Sequence, residues 1–164
     1  MRLRSCLAII ATLVLSIAHG ASKLPAKVSL LIDGQQVVAD LRPLLAETNN
    51  VEITRVSVCR RVGSRCHETL WRIEFPAGWH GTEIEVLGDY PGANVITHMP
   101  ELLRVGGSYN VFIHFNERSR WHKQTVSNTV VEFCLAGEPG NWRLLDDATC
   151  LARRNAEDQQ GATP

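Results

Sequence analysis

The chain has 164 residues, 45% apolar and 21% charged, and its 17 Lys and Arg balance 17 Asp and Glu. That length suits one domain with its own core. The even charge lacks the basic surplus that nucleic acid binding calls for.

Arg2 and Arg4 open the chain, and an apolar run from Leu7 to Ile17 follows, broken only by Thr12 and Ser16. Ala18-His19-Gly20 then places small residues where a signal peptidase reads them. This order predicts a secretory signal over 1–20, with cleavage after Gly20 and export to the periplasm or beyond. The run is shorter than the roughly 20 residues that cross a bilayer, so it is not read as an anchor. No other segment is apolar for long enough, so no membrane span is expected in the mature chain. Cys6 would leave with the signal, as would Arg2 and Arg4, leaving 15 basic residues against 17 acidic ones.

A flexible lead runs to Pro25. Lys27 to Ile32 and Gln36 to Asp40 alternate as the two arms of a hairpin about Asp33-Gly34. Asp40 to Glu47 suits one or two helical turns, with Pro43 tolerated near the start. Strands are predicted over 51–60, 66–75, 82–87, 108–116 and 128–135, with a short one over 142–145. Turn chemistry separates them at Pro76-Ala77-Gly78, Gly88 to Gly92, Gly106-Gly107 and Gly137 to Gly140. The polar stretch 152–164 lacks aromatic and β-branched residues and reads as a disordered tail. One β-sandwich domain over 21–151 remains.

Alternation sorts the strands into faces. The inward set is Val56, Val58, Trp71, Ile73, Phe75, Ile84, Val86, Val111, Ile113, Phe115, Val131, Phe133 and Leu135. Burying each contributes about 1.5–3 kcal/mol, which explains them as core without any ligand. The cysteines fall on the opposite parity, Cys59 with Arg55 and Ser57, Cys66 with Arg72 and Glu74, Cys134 with Glu132. Parity therefore favours Cys59–Cys66 across a hairpin and Cys134–Cys150 at the chain end, both as outer clasps. The rival is Cys59–Cys134, the immunoglobulin pattern of two inward cysteines beside a tryptophan, here Trp71. A β-bulge could reverse the parity and permit it.

Motifs for chemistry are absent. There is no Gly-x-Ser-x-Gly, no His-Glu-x-x-His and no glycine-rich phosphate loop. Histidines 67, 80, 98, 114 and 122 show neither strand nor helical pair spacing, so no metal, catalytic residue or cofactor is assigned. The most distinctive surface segment is Glu117 to Lys123, which joins two strong strands and mixes cations with an aromatic. Arg118, Arg120, Trp121 and His122 there are the expected partner-binding residues, since exposed Trp and Arg are enriched at binding hot spots. The bland alternative is a solvated loop with Trp121 folded over a sheet edge.

Three segments resemble the ML lipid-recognition domain family: Val51 to Cys66 with its short cysteine loop, Leu102 to Tyr109 with Gly-x-x-Tyr, and Asn128 to Leu135 followed by Cys150. The family's early cysteine is missing, its place taken by Leu44 or Leu45, and Cys134 has no counterpart in it. The resemblance implies a secreted immunoglobulin-like sandwich with an apolar molecule between its sheets. Trp71, Phe75, Ile84, Val86, Phe115 and Phe133 would then line the cavity. The expectation is an all-β, immunoglobulin-like antiparallel β-sandwich with two disulfides and no enzymatic activity. It would bind an apolar small molecule or, alternatively, a protein through the 117–123 loop, as an inhibitor or adhesion component.

Overall fold

The computed structural model describes residues 28–48, 50–63, 65–118, 124–138 and 141–161. The expected signal segment 1–20 and the loop residues 119–123 lie outside them.

Strands β1 (Ser29–Asp33) and β2 (Gln36–Asp40) form the expected hairpin, with Asp33 opposite Gln36. Its turn uses Gly34 at φ 59°, a left-handed conformation that glycine adopts without penalty. Helix α1 (Arg42–Glu47) follows, with Pro43 in its first turn, where no amide is missed. The Arg42 amide donates to Asp40 Oδ1 at 2.9 Å, and Leu41 and Leu44 are fully buried.

The long strands come next: β3 (Val51–Val62), β4 (Arg65–Trp79), β5 (Glu83–Glu85) and β6 (Asn94–His98). After a short 3₁₀ turn over Pro100–Leu102 come β7 (Ser108–Arg118), β8 (Gln124–Glu138), β9 (Asn141–Leu144) and helix α2 (Asp147–Gly161). They build two antiparallel sheets, β1-β2-β5 and β6-β4-β3-β7-β8-β9. The fold is an all-β sandwich with two disulfides.

The core lies between the sheets. Val37, Ala39 and Ile84 of the small sheet pack with Val56, Val58, Trp71, Ile73, Val111, Ile113 and Leu135 of the large one. Every residue of the expected inward set is buried except Val131, which is partly buried. Two tyrosines close turns onto the strands. Tyr109 Oη accepts from the Arg104 amide at 2.7 Å and donates to the Arg104 carbonyl at 3.0 Å. Tyr90 Oη accepts from the Glu85 amide at 2.6 Å.

Several expectations change. Pro76-Ala77-Gly78 does not end a strand; it bulges within β4, which runs on to Trp79. Trp79, beyond the strand end expected at Phe75, closes β4 and packs on Phe75 and Tyr90, with ring centroids 5.6 and 5.0 Å apart. The strand expected at 82–87 is only Glu83–Glu85, and β6 was not foreseen.

The stretch 152–164 is not a disordered tail, because α2 extends to Gly161. Its Ala, Arg, Glu and Gln residues favour helix strongly. Asp146 caps the start, accepting from the Thr149 amide at 2.9 Å and from its hydroxyl at 2.7 Å. Those hydrogen bonds hold the Asp146 carboxyl below its usual pKa.

Candidate functional site

The bridges join Cys59 to Cys66 and Cys134 to Cys150, the pairing that strand parity favours. The outer-clasp expectation needs one correction. Cys59 and Cys134 are 1% and 0% exposed, because their end of the outer face is covered. Glu132 explains the cover: its carboxylate holds Arg61 of β3 and, at 2.5 Å, Arg154 of α2. Arg153 Nη1 also donates to the Leu135 carbonyl at 3.1 Å. Helix α2 is thus fastened to β8 by one disulfide and two arginines.

Beyond that cover the outer face of the large sheet is open among the described residues. Register sets its rows. Arg72, Ser57, Phe112 and Val130 stand side by side on four strands, and Glu74, Arg55, His114 and Asn128 form the next rung. These eight are half-buried or exposed. Val126, one rung further, is 74% exposed and Val130 is 43% exposed. Isolated apolar residues on a surface mean little, but two on one strand beside ordered charges form a patch.

The charges on this face are organised. Arg72 Nη2 donates to Glu74 Oε1 at 2.6 Å, which holds the Glu74 carboxyl below its usual pKa, with the Arg55 charge adding to the effect. Arg55 Nη2 lies 3.2 Å from both ring nitrogens of His114. Burial, then the charges of Arg55 and Arg72, push the His114 pKa down, so the ring stays neutral. A pocket of about 470 Å³ opens here, with Arg55, Glu74, Phe75, Pro76, His114 and Val126 among its walls.

Paired irregularities create this pocket. Ile53 faces Phe115 and Arg55 faces His114, which leaves Thr54 as an extra residue in β3. On the other side Ile53 faces Trp79 while Arg55 faces Glu74, so Phe75 to Gly78 bow out of β4. Gly78 sits at φ 75°, and a Cβ there would collide with the Glu52 side chain. Bulges of this kind re-aim side chains at functional surfaces. The Thr54 hydroxyl ties its bulge down by donating to the His114 carbonyl at 3.3 Å.

The residues expected to function fall in two groups. Trp71, Phe75, Ile84, Val86, Phe115 and Phe133, expected around an apolar ligand, all belong to one packed core cluster, none more than 7% exposed. Of the expected partner loop, Glu117 is the last but one residue of β7 and is half-buried. The side chain of Arg118 and the whole of Arg120, Trp121 and His122 lie outside the described residues. Strands β7 and β8 pair as far as Arg118 opposite Gln124, so this loop joins two strands of the open face. Sequence reasoning passed over Arg55, Arg72, Glu74 and Val126 as site residues. The available signal was that Arg55, Arg72 and Glu74 share one strand parity; their side-by-side register was not visible.

No helix among the described residues is long and apolar enough to cross a membrane. No family model matches the chain, and no solved structure matches it. A curated protein does. The type VI lipase immunity protein Tli3 of Pseudomonas aeruginosa is 68% identical over 147 residues, 90% of this chain and 89% of that protein. Identity at that level over nearly the whole length places the chain in the family of that immunity protein, a family of binding proteins rather than enzymes.

Proposed function

We propose that this protein is an immunity protein that binds a type VI lipase and blocks its activity, outside the cytoplasm. The observation that carries this reading is the 68% identity, over 90% of the chain, with a protein of that function. Two other features support it. The paired cysteines suit an oxidising compartment, where structural disulfides persist. The open face of the large sheet offers ordered arginines, a residue type enriched at binding hot spots, beside exposed valines. The 117–123 loop, which joins β7 to β8, extends that surface in sequence.

The protein partner is preferred over an apolar ligand. The six residues that would line such a cavity instead pack against one another and their neighbours between the sheets. A packed interior does the work of a core with nothing added.

The test uses purified protein lacking residues 1–20 and the lipase against which the Pseudomonas relative protects. Stoichiometric addition is expected to abolish ester hydrolysis and to give a 1:1 complex on size exclusion. Full hydrolysis with no complex at a tenfold excess would overturn the proposal.

A further inference from the structure

We propose that Arg55 receives the carboxylate of an acidic side chain presented by the protein partner, in the pocket that the β3 and β4 bulges open. This deepens the protein-binding reading and rests on it.

Consider first what Arg55 lacks. Among the described residues it forms no ion pair. Its hydrogen-bonding neighbour is His114, a neutral ring that can accept from a guanidinium but brings no negative charge. Glu74 stands on the same rung but is taken by Arg72 at 2.6 Å. Glu52, one rung away, lies against Gly78. Arg72 lies outside the pocket walls but neutralises Glu74, so the cluster of Arg55, Arg72 and Glu74 carries one positive charge in excess, and it sits on Arg55.

The surroundings raise the value of that charge. Phe75, Pro76 and Val126 form apolar walls, and a partner covering them would exclude water. A charge-assisted hydrogen bond strengthens as water leaves, and arginine holds carboxylates through two parallel bonds. The pocket volume, about 470 Å³, leaves room for a whole side chain beside the guanidinium. His114 and the Thr54 bulge hold Arg55 in place beforehand, so little freedom is lost on capture. Opposite charge and an apolar rim thus specify an aspartate or glutamate on the partner.

The experiment measures the dissociation constant for the lipase at low and at high salt. Arg55→Gln is expected to weaken binding about 30-fold, as loss of an interface anchor does. It should also flatten the salt dependence. Arg55→Lys, which keeps the charge but not the two parallel bonds, should fall between wild type and Arg55→Gln in affinity and keep the salt dependence. Arg55→Glu should abolish capture, and reversing one acidic residue of the lipase to Lys should restore it. Thermal melts of each variant establish that it is folded. Wild-type binding with an unchanged constant for folded Arg55→Gln would overturn this proposal and leave the protein-binding reading intact. Failure of the wild type to bind at all would overturn both.

Discussion

Glu132 of β8 grips Arg154 of α2 at 2.5 Å while its other oxygen holds Arg61 of β3. The last helix therefore has no free standing of its own. It is fastened over β8 beside Cys134 at one end of the large sheet, and it marks where the open face begins.

Removing the covalent fastening should free that helix. Cys150→Ala is expected to lower unfolding stability by about 3 kcal/mol, the chain-entropy value for a bridge of this span. Amide exchange over Asp147–Gly161 should accelerate more than exchange in β3 or β7. Arg154→Ala alone should cost only about 0–1 kcal/mol, because the pair is partly exposed. Denaturant titrations of both variants provide the comparison.

The Tyr109 corner predicts a second pair of effects. Tyr109→Phe leaves the Arg104 amide and carbonyl without their phenol partner and should cost about 1–3 kcal/mol. Gly107→Ala should destabilise by a similar route, since a Cβ there would collide with the Tyr109 ring and hydroxyl. The double variant should fall short of the sum of the two losses, because both act on one contact.

Trp71 of the large sheet and Ile84 of the small one are fully buried members of the core. Trp71→Ala should cost about 3–5 kcal/mol and Ile84→Ala about 2–5 kcal/mol. Both should lower soluble yield and melting temperature. At a temperature where each variant is still folded, the affinity for the lipase should stay near wild type, since neither side chain reaches the open face.

Two acid windows should separate. His114 has a folded pKa below its ordinary 6.5, so the unfolded chain binds a proton that the folded one refuses. Stability should therefore be full above pH 6.5, decline as pH falls below it, and level off once the folded ring also protonates. The carboxyls of Asp40, Glu74 and Asp146 are held below ordinary values of 3.8, 4.5 and 3.8. Their contribution should persist to lower pH and vanish only as the folded groups take protons. His114→Gln should remove the upper slope of midpoint against pH and spare the lower one.

Much of the fold was legible because period-two patterning is a strong signal wherever one face is buried. Val56, Val58, Trp71 and Ile73 announced their inward direction, and the same parity paired Cys59 with Cys66. The C-terminal helix was hidden for the opposite reason. Ala152 to Gln160 has no apolar stripe to reveal a period, and its anchors, Cys150 and Arg154, act through distant partners on β8. The pocket was hidden because a bulge is a property of register. Neither Thr54 nor Pro76 declares by itself which neighbour it will skip. Arg55 could be assigned to the polar face from sequence, but its position over His114 depends on a pairing 59 residues away.

The two bridges are sequence-local, spanning separations of 7 and 16 residues. Closing a loop costs more the more residues it encloses, so each cysteine meets its native partner more readily than either cysteine of the other bridge, which lies much further along the chain. The native pairing is therefore also the one that random encounter favours.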